Sequence, residues 1–281
     1  MVRRLSAILF GQEDAADRLP LARVSLGLAV IRTIVQMPAG SFFEEHQDTL
    51  QACQPEDRRG VRLSAFQFNA LRLLSLAAVG LWTIGVRHAL VRVSAAAGFA
   101  ALNCYVAQFH PRLWNYNSHL NLFLCAATAV DTSKWLSVDK RPPGPLSKEE
   151  AQLQSLALAA MQLGAASIYS QAGLSKLIHG KLKWMVEGGT LKGSLAVLGT
   201  AEGHRLSAND PLMRVLSVAT VVGEAAFLPL LVARWKNRRL IALGAVAFHL
   251  ATKRFLGISF WHLWALYPAL FIAPSPKTDR S

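Results

Sequence analysis

The chain has 281 residues, of which 52% are hydrophobic and only 17% are charged. Soluble proteins carry about 25% charged residues, so this composition is typical of an integral membrane protein and argues against a soluble enzyme. The formal net charge is +13, but the basic residues lie in short loops between apolar runs rather than among aromatic residues, so we expect a lipid bilayer and no nucleic acid as partner.

The N-terminal segment, residues 1–18, is polar and has neither the apolar core nor the cleavage site of a signal peptide. The apolar run 19–37 that follows predicts an uncleaved membrane helix, with Pro20 at an early position where its missing N–H is tolerated. This run contains Arg23 and Arg32. Because an unpaired arginine is costly in lipid, we expect both side chains to extend to the interfaces, with a pocket role for Arg23 as the alternative.

Seven further apolar runs predict an all-α integral membrane protein, a bundle of about eight transmembrane helices within a range of six to eight. The predicted spans are 19–37, 66–86, 89–109, 118–130, 148–177, 212–233, 240–255 and 258–273. Ser147 and Glu150 predict a capping box at the start of the fifth span, and Asn209 before Asp-Pro predicts a cap at the start of the sixth.

Two of the segments between these spans have a distinct composition. Residues 42–63 carry mixed charge and are predicted as a polar connection. Residues 181–198 alternate lysines with apolar residues around the break at Gly188-Gly189, which favours an amphipathic or re-entrant segment at the interface.

The basic loops predict the orientation of the chain. With eight spans, the loops around 87–92, 134–148 and 234–239 lie on the same side as residues 1–18. By the positive-inside rule this side is the cytoplasm, so both termini, including the tail 274–281, are expected inside a bacterial cytoplasmic membrane. Residues 19–273 are then predicted to form one multi-pass domain.

Lys176 is the polar residue on which the functional interpretation depends. Ala165, Tyr169, Ala172 and Lys176 share one face of the fifth predicted helix, and the two alanines would let another helix approach closely. At the membrane boundary Lys176 either extends its ammonium into water or is held in a protein pocket, where a desolvated amine is a usable base. The residues alone leave both interpretations open.

Other polar residues within apolar runs are also candidates. Glu224 predicts a partner, because a lone carboxylate is costly in lipid, and we expect Arg23, Arg32 or Arg72 to supply it. His119 and His249 are compatible with either a structural hydrogen bond or a functional role.

Cysteine and histidine spacing predicts no metal site. The three cysteines, Cys53, Cys104 and Cys125, follow no disulfide or metal-binding spacing, and the histidines form no helical ligand pair.

Several short patterns occur together along most of the chain. They are Leu19-Pro-Leu-Ala-Arg23-Val-Ser-Leu-Gly27, Trp114-Asn with His119, Asp131 with Ser137-Val-Asp139, Tyr169-x-x-Ala-Gly-x-x-Lys176-Leu177 with Trp184, and Phe248-His249-Leu with Gly257-Ile258-x-Phe260. In this order the chain resembles the membrane domain of vitamin K-dependent γ-carboxylase and the horizontally transferred transmembrane-domain family of bacteria.

The resemblance implies a chemistry for Lys176. In the carboxylase-like family a lysine at this position deprotonates a quinol such as reduced vitamin K, and the quinol anion reacts with oxygen to give a strong base that removes a γ-proton from glutamate, which then adds carbon dioxide. His249 would assist Lys176. The quinone pocket would comprise His119, Tyr169, Trp184, Glu224 and Arg23. The carboxylase's large extramembrane domain has no counterpart in these 281 residues, so we expect a secreted peptide rather than the carboxylase's own substrate.

Three functions therefore remain open from the sequence. The first is a carboxylase-like, quinol-dependent enzyme acting at the outer membrane face. The second is a non-enzymatic maturation or scaffold subunit that binds another membrane subunit, in which Lys176 extends into water. The third is a small-solute transporter, which predicts discontinuous helices around a midplane cavity near Glu224.

Overall fold

The computed structural model describes residues 2–52, 60–109, 118–139 and 144–272, without the side chains at 2, 50–52 and 181–186. Within these ranges all regular structure is helical and no strand is present. The all-α prediction is therefore confirmed. Cys53, the Trp114 cluster, the Pro142-Pro143 pair and the tail 274–281 lie outside the described residues.

Twelve α-helices are found in the described ranges, together with a 3-10 turn at Trp235–Asn237 and a π-helical turn at Pro268–Ile272. The α-helices are α1 Val2–Phe10, α2 Ala15–Gln36, α3 Gly40–Ala52, α4 Ala65–Thr83, α5 Ala89–Ala107, α6 Ser118–Thr128, α7 Lys148–Val186, α8 Gly189–Leu198, α9 Ala201–Ser207, α10 Asp210–Ala233, α11 Arg238–Leu256 and α12 Trp261–Trp264.

Four of these helices, α2, α4, α5 and α10, are long and apolar enough to cross a membrane. Large apolar side chains such as Leu73 and Leu74 are exposed on α4, as expected of a surface that faces lipid. The prediction of a helical membrane protein is thus supported, but the count of eight spans is not confirmed. The helix α6 has 11 residues, and the last predicted span is divided into α12 and the π-helical turn.

Local capping signals in the sequence correctly predicted several helix ends. Ser147 and Glu150 exchange the two hydrogen bonds of a capping box at the start of α7, at 3.0 and 3.2 Å. The Asn209 side chain accepts a hydrogen bond from the Leu212 N–H at 3.1 Å. Gly188 and Gly257 adopt left-handed conformations, with φ of 63° and 71°, at helix boundaries where a side chain would be strained.

Three local features differ from what the sequence suggested. Pro20 lies inside α2 rather than in its first turn, because the helix begins four residues earlier than expected, at Ala15. The polar connection at 42–63 is helical as far as Ala52 in α3, whose Phe43 is buried. The helix α7 continues through the first part of the predicted interfacial segment to Val186, although the predicted break at Gly188-Gly189 is present.

The contacts divide the chain into two compact units. Leu9–Met161 forms the N-terminal unit, and Met1–Ile8 with Gln162–Pro274 forms the C-terminal unit. Since α7 runs through residue 162, its first part belongs to the N-terminal unit and its remainder to the C-terminal unit. One domain over 19–273 stays a prediction.

The N-terminal unit packs α4 against α2, α3 and α5, with α6 against α2 and α5. An aromatic cluster forms part of its core: Phe43 of α3 lies 4.8 Å from Phe68 of α4 and 5.6 Å from Tyr105 of α5, measured between ring centroids. These contacts bury the apolar face of α3. The first part of the predicted connection, as far as Ala52, is therefore an amphipathic helix that packs on the unit's core.

Arg23 is a buried structural residue of the N-terminal unit. Its side chain is 1% exposed, so it does not extend to an interface as expected. Its guanidinium donates hydrogen bonds to the Thr83 carbonyl at 3.2 Å, to the Thr132 carbonyl at 2.6 Å and to the Leu136 carbonyl. These bonds join α2 to the end of α4 and to the loop after α6, and they satisfy a charge that would otherwise be costly in this environment.

The C-terminal unit packs α8 and α9 against α10 and α11, and the π-helical turn against α11. Thr200 hydrogen bonds through its N–H to the Phe255 carbonyl at 3.0 Å, which fixes the start of α9 on the end of α11. Nearby, Arg254 Nε lies 2.5 Å from Glu202 Oε2. The hydrogen bond that Arg254 donates holds the pKa of the exposed Glu202 carboxyl below its usual value.

Candidate functional site

One stretch of α7 supplies four residues to the candidate site. Tyr169, Gly173 and Lys176 lie at i, i+4 and i+7 and share a helix face, and Ser170 is three residues before Gly173 on the adjoining face. Each contacts α10 or α11 in the C-terminal unit. This stretch is therefore the part of α7 that joins the helices carrying Glu224 and His249.

Gly173 brings the backbones of α7 and α10 into close contact. A Cβ atom at this position would lie 2.2 Å from the Ala225 nitrogen and 2.8 Å from the Glu224 carbonyl carbon, too close for any side chain. The small residue at the helix contact is thus Gly173, which is buried, rather than the predicted Ala172. Because Lys176 lies one turn beyond Gly173, this close approach determines which α10 residues the lysine reaches.

Ser170 compensates for a proline in α10. Pro229 has no N–H, so it cannot donate the helical hydrogen bond that the Ala225 carbonyl would normally accept. The Ser170 hydroxyl donates to this carbonyl at 3.2 Å and accepts from the Leu228 N–H at 2.9 Å. The hydroxyl thereby satisfies both backbone groups at the interruption, which lipid could not do.

Lys176 forms an ion pair with Glu224. The Lys176 ammonium donates a hydrogen bond to Glu224 Oε2. The Glu224 side chain is 10% exposed and that of Lys176 26% exposed. Glu224 was expected to pair with an arginine, and this prediction was wrong: Arg23 binds the backbone carbonyls described above, and Arg72 donates to the Val35 carbonyl at 2.7 Å.

Tyr169 forms the second polar pair, with His249 of α11. The Tyr169 hydroxyl and His249 Nε2 share a hydrogen bond, and both residues are buried, at 5% and 4% exposure. The Tyr169 ring also stacks on Phe227 of α10, with centroids 4.5 Å apart and an interplanar angle of 22°. Tyr169 therefore links α7 to both α10 and α11.

His249 lies among aromatic rings. Its ring centroid is 5.6 Å from that of Phe260 and 6.5 Å from that of Tyr267. Its second ring nitrogen, Nδ1, has no hydrogen-bond partner among the described residues although it is buried. A buried imidazole with one nitrogen paired and the other unpaired can accept or pass on a proton.

The predicted site residues fall into two groups. Lys176, Tyr169, Glu224 and His249 all lie in the C-terminal unit and form the two pairs described above. Arg23 and His119 lie in the N-terminal unit; His119 is 7% exposed and its ring is edge-on to Phe123, with centroids 5.6 Å apart. Trp184 is in the last turns of α7, and its side chain lies outside the described residues.

Sequence reasoning missed the residues that hold the site together. Ser170, Pro229 and Tyr267 were not singled out, and Gly173 appeared only as part of the pattern that precedes Lys176. A Gly within a long apolar helix and a Pro within another are signals of close approach and of an interrupted hydrogen bond. Their pairing depends on which helices are neighbours, which no local pattern indicates.

The two pairs can take part in acid–base chemistry. An ammonium with a carboxylate and an amine with a carboxylic acid have the same net charge, so the Lys176–Glu224 pair can hold its shared proton on either side. Tyr169 and His249 offer a second hydroxyl and imidazole. Among the described residues, no group of three or more His, Cys, Asp or Glu side chains is arranged to hold a metal ion.

Comparisons with known proteins add no relative from which a function can be transferred. No protein-family model matches the chain, and neither a curated protein nor a solved structure matches it. The candidate site is therefore interpreted from its own geometry.

Gly173→Ala tests the close approach of α7 and α10. The added Cβ would meet the Ala225 backbone, so we expect overpacking to lower the free energy of unfolding by about 1–3 kcal/mol, measured by thermal or denaturant unfolding in detergent. Gly223→Ala on α10 is the matched control because nothing lies within 4 Å of its added Cβ. Helix propensity alone predicts a gain of about 0.5–1 kcal/mol for either change, so equal gains at both positions would contradict the close contact.

A double-mutant cycle tests the role of Ser170. Ser170→Ala leaves the Ala225 carbonyl unpaired, at a cost of about 1–2 kcal/mol in unfolding free energy. Pro229→Ala supplies an N–H that can bond this carbonyl within α10. The cost of Ser170→Ala should therefore fall by about 1 kcal/mol in the Pro229→Ala background. Strict additivity of the two changes would show that the hydroxyl does not compensate for the proline.

Proposed function

We propose that the protein is a multi-pass membrane enzyme that takes a proton from a lipid quinol, similar in chemistry to the vitamin K-dependent γ-carboxylase membrane domain. The observation that carries this proposal is two donor–acceptor contacts held by one stretch of α7, the partly buried Lys176–Glu224 pair and the buried Tyr169–His249 pair. We further propose that the chain crosses a bacterial cytoplasmic membrane about eight times, with both termini on the cytoplasmic side. The site then belongs to the outer face.

The Lys176–Glu224 pair supplies a base and an electrostatic partner for the anion that deprotonation creates. When a quinol O–H bond breaks, the proton passes to the pair, with Glu224 as the acceptor when Lys176 is an ammonium. The ammonium then stabilises the quinolate oxygen that remains. In the resemblance-based interpretation Lys176 itself is the base, which corresponds to the amine–acid form of the same pair. Both forms make the chemistry depend on the two residues together.

The aromatic residues beside the pairs support a planar ligand. Tyr169 and Phe260 lie beside His249, and Phe227 stacks on Tyr169. A quinone ring packs well against such a group of aromatic side chains. The Nδ1 atom of His249 can hydrogen bond a ligand oxygen or pass on a proton. We propose a secreted peptide as the substrate on which the enzyme acts.

A non-enzymatic scaffold or maturation subunit is the second candidate. The observation that favours it is that the two side chains of each pair bond each other while Gly173 and Ser170 join α7 to α10, as in a contact that stabilises the fold. This candidate predicts that the pairs contribute to folding and to assembly with another membrane subunit, without any turnover.

The two candidates are separated by assaying the full chain in lipid nanodiscs with a reduced naphthoquinol, following quinol oxidation and oxygen uptake. We expect Lys176→Met and Glu224→Gln each to lower the rate by about 100-fold or more, because each removes half of the acid–base pair. Lys192→Met is the matched control, since Lys192 forms an exposed pair with Asp210 at 2.6 Å, and it should retain the full rate.

Size-exclusion profiles and thermal midpoints of all variants show whether each protein is folded. If the folded wild-type chain does not accelerate quinol oxidation, or if Lys176→Met and Glu224→Gln match Lys192→Met, the enzymatic proposal is wrong. Loss of stability in the two pair variants without any wild-type turnover would instead support the scaffold.

A further inference from the structure

A second polar site lies in the N-terminal unit, and none of its residues takes part in the proposed quinol chemistry. It is a partly open cavity at the junction of α4 and α5, lined by Arg23, Trp82, Arg87 and Arg92 together with the loop residues Asp131 and Ser133. Three guanidinium groups and one carboxylate give these side chains a net charge of +2. A net positive charge next to two apolar helices favours the binding of an anion.

The polar atoms left unpaired at this cavity are all donors. The Trp82 indole Nε1, the Arg87 Nε and the Arg92 Nε are each buried and have no hydrogen-bond partner among the described residues. Trp82 itself is only 1% exposed. Buried N–H groups are rarely left unpaired in proteins, so three of them on residues that line one cavity indicate a missing acceptor.

The cavity's own carboxylate does not supply that acceptor. Asp131 Oδ2 binds the Arg87 guanidinium at 2.9 Å. Its Oδ1 accepts hydrogen bonds from the Ser133 backbone and hydroxyl, at 2.9 and 2.5 Å. Both oxygens of Asp131 are therefore occupied while the Nε donors of Arg87 and Arg92 stay unpaired.

The position of the cavity suits a phosphate oxygen. The helices α4 and α5 are both long and apolar enough to cross a membrane, and the cavity lies where one ends and the other begins. The end of a helix that spans a bilayer lies at the level of the lipid headgroups. The first turn of α5 adds the positive end of its helix dipole. The enclosed part has room for about one water-sized group, so a ligand would insert one oxygen and remain outside with its other atoms.

We propose that this cavity, defined by Arg23, Trp82, Arg87 and Arg92, binds a phosphate group. Arg87 and Arg92 donate to its oxygens through Nε, and Trp82 donates through Nε1. Arg23 adds positive charge at the cavity, while its own hydrogen bonds hold the loop after α6 in place. The chemistry is common to the headgroup of an anionic lipid and to free phosphate. At a helix junction of a membrane protein, a phosphatidylglycerol-type headgroup supplies it at high local concentration.

Native mass spectrometry of the full chain, titrated separately with phosphatidylglycerol, phosphatidylcholine and inorganic phosphate, tests the proposal. We expect Arg92→Gln to weaken binding of the anionic ligand by roughly tenfold, since a hydrogen bond to a charged group is lost. Arg92→Lys keeps the charge but not the fork of donors, and should weaken binding less. Arg62→Gln is the control, because Arg62 is exposed, pairs with Asp48 at 3.0 Å and does not line the cavity.

The arms of the titration distinguish the two sources of phosphate. Tight binding of phosphatidylglycerol alone, weakened by Arg92→Gln, identifies a lipid headgroup site, whereas binding of inorganic phosphate with the same dependence identifies a free-anion site. The proposal is overturned if phosphatidylcholine binds as tightly as phosphatidylglycerol and inorganic phosphate does not bind. It is equally overturned if Arg92→Gln, folded by its thermal midpoint, binds every anion as Arg62→Gln does, which would mean that water satisfies the three donors.

Discussion

The ion pair between Lys176 and Glu224 is the interaction on which the C-terminal unit depends. In a helix surrounded by lipid, an unpaired carboxylate is costly, and an ammonium on a neighbouring helix removes most of that cost only if the two backbones are held in register. Gly173 provides the close approach and Ser170 satisfies α10 where Pro229 interrupts it. The two charges therefore meet because of residues that carry no charge themselves.

The same pairing is compatible with both stability and the proposed chemistry. An ion pair between the two helices strengthens the packing of α7 on α10. Under the proposed function, a quinol hydroxyl that entered between the partners would find a base and a cation already in place. Binding would replace one contact of the pair with another, so little charge has to be desolvated afresh. Tyr169 and His249 form a similar pair between α7 and α11, in which Nδ1 of the imidazole has no hydrogen-bond partner among the described residues.

How much could be predicted from the sequence depended on whether the signal was local. Apolar runs, the Ser147–Glu150 capping box and the glycines at 188 and 257 are local, and they predicted most helices and their ends. The helix α3 was missed because its burial depends on Phe43 packing against α4 and α5, which its mixed charge concealed. Glu224 was correctly expected to need a partner, but the choice of Lys176, 48 residues away, follows from helix adjacency rather than from any spacing.

The central claim is that opposite charges at these two positions join α7 to α10, and reversing both charges tests it most directly. Thermal unfolding of the full chain in detergent would compare Lys176→Glu, Glu224→Lys and the double reversal with the wild type. Each single reversal places two like charges together and should lower the unfolding midpoint, whereas the double reversal should recover most of the loss. Two results would contradict the ion pair. One is that each single reversal unfolds at the wild-type midpoint, and the other is that the double reversal lowers the midpoint by as much as the two single reversals added together.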